Sequence, residues 1–182
     1  MGAWNGWYHV DGHTYGTWLP GDSRGWREKR HRKHVPGDYR DPPPPGFGAD
    51  VLERSRREMK YPPVRFTPAQ REVAGKAMVE KLARLGIEAI ALSQDAVHYH
   101  ILARFPDGQV RRPVGRAKKH AYFRLRERWG VGKVWQRLCN VTPIGGRAHQ
   151  VNVFEYIRSH ADVGAWVWTY REGLYWQDDA PA

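Results

Sequence analysis

The stretch from Thr67 to Phe105 constrains the fold most: a capped amphipathic helix runs directly into two short apolar segments. Thr67 carries the short hydroxyl of an N-cap, Pro68 suits the first helical position, and Gln70 completes a capping box. Val73, Ala77, Met78, Leu82 and Leu85 recur at helical spacing, and Gly86 ends the run. A helix of this kind must bury its apolar stripe against another layer. The next segments supply one: Ile87–Ser93 and Ala96–Phe105 are short and apolar, and the Gln94-Asp95 turn between them predicts a hairpin.

The remaining segments complete an ordered series. Gly6–Tyr15 alternates and is rich in aromatics and Val, which predicts a first strand. A turn-rich stretch follows, then a basic run and four consecutive prolines within Asp41–Gly46. Residues 16–66 therefore read as a basic, Pro-rich insertion in a single domain spanning residues 1–182. Beyond the hairpin come a helix over about Val114–Trp129, closed by Gly130, and a strand over Lys133–Val141. A helix over about Gln150–Ala161 and a last strand at Ala165–Tyr170 complete the chain. This order predicts an α+β fold of the ferredoxin-like, split βαβ type: an antiparallel sheet with helices packed on one face.

Charge narrows the function. Thirty Lys and Arg against nineteen Asp and Glu give a net charge of +11. A small basic domain favours a polyanion, because phosphate contacts release condensed counterions. Nine Trp and nine Tyr add rings on which unpaired bases could stack, although most such rings belong in the core. The single cysteine, Cys139, excludes an internal disulfide framework and a Cys-rich zinc site. No run of residues approaches a membrane span and no signal-peptide pattern is present, so a cytoplasmic setting is expected.

Two segments carry the chemistry. In Val97-His98-Tyr99-His100-Ile101-Leu102, strand alternation points His98 and His100 to one face and Tyr99 to the other. Two imidazoles on one face can share a divalent cation, although an isolated His-x-His is more often a pair of surface histidines. In Val153-Phe154-Glu155-Tyr156-Ile157-Arg158-Ser159-His160, Tyr156 and His160 lie one helical turn apart on one face. Phe154, Ile157 and Ala161 are placed to face the sheet. His9, His13, His120 and His149 form no better pair, but His9 and His13 lie near the first strand, and a contribution from them stays open.

Taken together, a His-hydrophobic-His strand followed by a helix with Tyr and a polar residue four positions on resembles the single-tyrosine transposases. These belong to the His-hydrophobic-His (HUH) endonuclease superfamily and include the insertion-sequence and REP-associated branches. Trp135-Gln136-Arg137 resembles the Trp-Gln-Arg strand of the REP-associated branch, and Tyr156-Ile157 its Tyr-Ile signature. The Tyr15–Trp26 stretch resembles an N-terminal hallmark of a bacterial subgroup, and residues 27–66 match poorly. The chain departs from the family pattern at Val97, often Asn, at Tyr99, which is larger than usual, and at His160, commonly Gln or Asn.

The resemblance implies a metal-dependent transposase that cleaves single-stranded DNA and transfers strands through a 5′-phosphotyrosine. In that scheme His98, His100 and His160 hold Mg²⁺ or Mn²⁺, and Tyr156 is the nucleophile. Asn152, one turn before Tyr156, gives no support for a two-tyrosine variant. Arg116, Lys118 and Lys119 on the basic helix, with Arg137, Arg24 and Arg30, are candidate DNA contacts. The implied partner is single-stranded, hairpin-forming DNA, bound by a monomer or homodimer associated with a bacterial nucleoid. The alternatives are a host-retained or non-catalytic hairpin-binding protein on the same fold, and a small zinc-binding structural protein, which leaves the charge unexplained.

Overall fold

The computed structural model describes residues 2–24, 26, 44 and 46–172. It divides the chain into two compact units: residues 1–14 with 65–182, and residues 15–64.

The larger unit contains β1 (Trp7–His13), α2 (Pro68–Arg84), β2 (Glu88–Gln94), β3 (His98–Arg104), α3 (Arg111–Trp129), β4 (Asn140–Pro143), α4 (Arg147–Ser159) and β5 (Trp166–Thr169). The smaller unit has one α-helix among its described residues, α1 (Ala49–Arg57). That helix falls inside residues 16–66, the segment expected as a basic, Pro-rich insertion. Its nine residues are mostly charged or small, with Val51 and Leu52 the only large apolar side chains, and none of its residues is buried.

The sheet is five-stranded in the order β4-β1-β3-β2-β5, and every pairing is antiparallel. This is the expected split βαβ arrangement extended by one edge strand. The capping box of α2 forms as read: Gln70 N donates to Thr67 Oγ1, and Gln70 Oε1 accepts from Thr67 N. Ala74, Ala77, Met78 and Leu82 of α2 are buried with Val114, Ala117, Ala121 and Leu125 of α3.

The helices divide between the two faces. The register Gln94↔Tyr99 and Leu92↔Ile101 puts these residues on one face, together with Trp166, which pairs with Gln94. A Cβ at Gly75 of α2 would lie 2.1 Å from the Trp166 ring, so this face lies under α2, and only glycine permits the approach. The opposite face carries His98, His100 and Leu102, with Ala91 opposite Leu102. There α4 docks through Val153 and Ile157, which pack with Trp7, Ala91, Leu102 and Ile144. Expecting all helices on one face therefore holds for α2 and α3, while α4 forms a third layer. Phe154 is only partly buried and Ala161 is exposed, so Val153 replaces Ala161 as the second anchor beside Ile157.

The expected strand at Lys133–Val141 is also displaced. Trp135 makes a single bridge to Thr14, and the regular strand begins only at Asn140. Pro143, without an amide hydrogen, is tolerated in β4 because this strand lies at the sheet edge.

Candidate metal centre and nucleophile

The site is built on β3, the central strand of the sheet. A central strand has neighbours on both sides, so its side-chain directions are fixed by two ladders. His98 and His100 project to one common face, as expected, and it is the face on which α4 packs. Tyr99 projects to the other side, where it is fully buried edge-on to Trp135, with ring centroids 5.6 Å apart. The large residue between the histidines fits because Gly12 pairs with it across β1 and offers no side chain to clash.

The third histidine arrives from α4. His160 follows the last α-helical residue, Ser159, and opens a 3₁₀ turn. His98, His100 and His160 each offer a ligand nitrogen, and these atoms lie within 4.8 Å of one another. Two metal–nitrogen bonds of about 2.1 Å span at most about 4.2 Å. The widest pair therefore needs to close by at least roughly half an ångström to share an ion.

The hydrogen bonds of the three rings are consistent with such a role. His98 Nδ1 donates to Asp95 Oδ2 at 2.5 Å. His160 Nδ1 donates to the Tyr156 carbonyl at 2.8 Å. His100 Nδ1 lies 3.0 Å from His9 Nε2. Each Nδ1 is occupied, so the Nε2 atoms remain to face the cluster. His100 Nε2 is buried without a hydrogen-bond partner, as a nitrogen reserved for a cation would be. Three imidazole nitrogens in this arrangement fit a divalent ion.

Asp95 was legible only as a turn residue. Its Oδ1 accepts from the Val97 and His98 amides at 2.6 and 2.7 Å, closing the β2–β3 turn, while Oδ2 takes the His98 ring. Burial opposes ionisation of this carboxyl, but the hydrogen bonds from His98 and the two amides outweigh it and hold the pKa at about 2. His100 is shifted the other way. Burial first, then the neighbouring His98, His9 and His160, lower its pKa to about 2. A neutral imidazole is the form a metal requires, so this ring needs no deprotonation at neutral pH.

Tyr156 stands beside the cluster. Its ring centroid is 4.7 Å from His160 and 5.3 Å from His100. The side chain is 49% exposed, so a nucleic-acid strand can reach it. Burial, then the carboxylates of Asp11 and Asp95, raise its phenol above the usual value. The phenolate therefore needs a nearby cation at neutral pH.

The candidate DNA contacts fare unevenly. Arg116 and Lys119 are exposed on α3, on the sheet face opposite the histidines. Lys118 is a correction: it is buried and donates to the Gln136 carbonyl at 2.6 Å, so its ammonium braces the stretch before β4. Its place one residue from Lys119 turns it inward, toward the Tyr99 ring. Arg137 is exposed. Arg24 spends its donors within its own loop, on Asp22 and the Thr17 carbonyl. Arg30 lies outside the described residues.

No helix among the described residues is long and apolar enough to cross a membrane. No family model and no curated protein matches the chain. A solved structure of a REP-associated tyrosine transposase bound to a REP hairpin is similar over 90% of this chain and 72% of that one, with a TM-score of 0.46 and 10% sequence identity.

Proposed function

We propose that this protein cleaves single-stranded DNA and transfers the cut strand, using Tyr156 as the nucleophile at a metal centre held by His98, His100 and His160. The reading is carried by one observation: α4 brings a half-exposed tyrosine and a third imidazole to the two histidines of β3. A net charge of +11 supports a polyanionic substrate.

A divalent cation on the three imidazoles, Mn²⁺ or Mg²⁺, would offset charge developing on the scissile phosphate and lower the cost of the phenolate. Tyr156 Oη attacks phosphorus, forming a new P–O bond as the bond to the 3′ oxygen breaks. The phenolic proton is lost and the leaving oxygen gains one. The products are a 5′-phosphotyrosine and a free 3′-OH. Because the phosphoester bond is retained on the enzyme, a second 3′-OH can reverse the step and join strands. Asp95 holds the His98 ring, and the α4 backbone sets the spacing between Tyr156 and His160. Arg116, Lys119 and Arg137 are proposed to contact phosphates away from the cleaved bond. The substrate class is a hairpin-forming single strand, and the role that of a transposase of small insertion or repeat elements in a bacterial nucleoid.

The test is a denaturing gel of the protein incubated with labelled single-stranded DNA hairpins and Mn²⁺, beside Tyr156→Phe. A covalent adduct that needs metal and disappears in the variant supports the reading. Hairpin binding by both proteins without any adduct replaces it with a non-catalytic binding role.

A further inference from the structure

We propose that His9 is a positioning residue that fixes the tautomer of His100, keeping the Nε2 lone pair of that ring turned into the metal centre. The inference rests on the metal-centre reading but reaches beyond its three ligands to a residue on a different strand.

The geometry begins with the register of β1 and β3. His9 pairs with Leu102 and Asp11 with His100, so His9 sits diagonally to His100 on the same face. The two ring planes lie 27° from parallel with centroids 5.2 Å apart, so the rings meet edge to edge through their nitrogens. His9 Nε2 and His100 Nδ1 are 3.0 Å apart, a hydrogen-bond distance. Between two neutral imidazoles in such contact, one of the facing nitrogens carries the proton.

The surroundings decide which. If His9 were the donor, His100 would carry its own proton on Nε2, which is buried and has no acceptor. A buried N–H without a partner is the rarer and costlier defect. If His100 donates from Nδ1, His9 accepts, and His100 Nε2 becomes a lone pair facing the cluster. His98 and His160 are already in that state, because their Nδ1 atoms face a carboxylate and a carbonyl, which only accept. The three rings then present three lone pairs. Each has its own partner behind it: Asp95 for His98, the Tyr156 carbonyl for His160, and His9 for His100. Such partners orient metal-binding imidazoles and strengthen them as ligands.

The experiment uses the full chain as wild type, His9→Leu and His9→Gln. Leu removes the acceptor, whereas a Gln side chain can place an oxygen near the position of Nε2. Long-range proton–nitrogen correlation spectra of the metal-free protein report which His100 nitrogen is protonated. Mn²⁺ titration followed by electron paramagnetic resonance reports affinity without any DNA or turnover. The expected result is Nδ1–H on His100 in the wild type and a proton moved to Nε2 in His9→Leu. Mn²⁺ affinity should fall about 10- to 100-fold in His9→Leu and largely recover in His9→Gln. A wild-type His100 protonated on Nε2 overturns the proposal. So does a His9→Leu protein with unchanged tautomer and affinity, or equal losses in Leu and Gln. If the wild type binds no Mn²⁺ yet shows Nδ1–H, the metal reading falls while the tautomer assignment stands. Should His9→Leu fail to fold, the wild-type tautomer and the Gln variant decide the matter.

Discussion

Replacing Gly12 by Ala tests the packing that lets β3 carry a tyrosine between two histidines. A Cβ at position 12 would stand 2.6 Å from the Tyr99 hydroxyl oxygen, 2.8 Å from Cζ and 3.0 Å from Cε1. Ordinary contact begins near 3.4 Å, so the ring must retreat by most of an ångström. It has little room, being fully buried and edge-on to Trp135. Overpacking of this kind costs about 1–3 kcal/mol, and the lower unfolded-state entropy of Ala returns about 0.5 kcal/mol. Gly12→Ala should therefore destabilise by about 0.5–2.5 kcal/mol in urea denaturation of the metal-free protein. Tyr99→Leu alone opens a void and should cost about 2–4 kcal/mol. In the double variant the Ala methyl group enters that void, so the total should fall short of the sum by at least about 1 kcal/mol. A Gly12→Ala protein as stable as wild type refutes the reasoning, as does strict additivity of the two effects.

Three further outcomes follow from the structure. The Asp95 carboxyl ionises at about 2 when folded against 3.8 ordinarily, which corresponds to about 2 kcal/mol of stability. A depressed folded pKa makes that contribution complete above about pH 4 and lost as pH falls toward 2. The gap in unfolding free energy between metal-free wild type and Asp95→Asn should shrink accordingly, and a constant gap from pH 5 to pH 2 would remove the assignment. Fluorescence anisotropy of a labelled hairpin across salt concentrations should show the log–log slope reduced by about 1 in Lys119→Ala. Lys118→Met should leave it unchanged, because that ammonium is buried on the Gln136 carbonyl; an equal change in both variants would contradict the placement. Thr67→Ala removes one half of the α2 capping box and should cost about 1 kcal/mol in thermal unfolding, and a change below the error of the measurement would count against the cap.

The parts of the fold read correctly from the sequence are those with local causes. The α2 cap needs only Thr67, Pro68 and Gln70 in order, and the β2–β3 hairpin needs only two apolar runs and a turn. The facing of His98 and His100 follows from strand alternation, and that of Tyr156 and His160 from one helical turn. What escaped or stayed open has no distinctive signature in the local sequence. His9 meets His100 across 91 positions, through a β1–β3 register that no local pattern fixes. Asp95 looked like an ordinary turn residue, since its second oxygen finds work only once His98 folds back beside it. Lys118 read as one of a row of surface cations, yet Tyr99 and Gln136 draw it inward. The face chosen by α4 could not be read from Val153 and Ile157 alone, because an apolar stripe specifies burial without specifying which side of a sheet supplies it.

The layering of α4 has a kinetic consequence. His98 and His100 belong to a central strand held by ladders on both sides, so displacing their side chains from this face requires the sheet itself to open. Tyr156 and His160 belong to a helix and its terminal turn, docked through few buried side chains, chiefly Val153 and Ile157. Each fully buried aliphatic side chain contributes about 2 kcal/mol, so undocking this helix is a far smaller excursion than unfolding. Undocking of this helix would carry Tyr156 and His160 away together, while His98 and His100 would stay on β3. Under the proposed mechanism the fraction of molecules with Tyr156 and His160 in place depends on the docking of this helix, which amide protection along α4 would report.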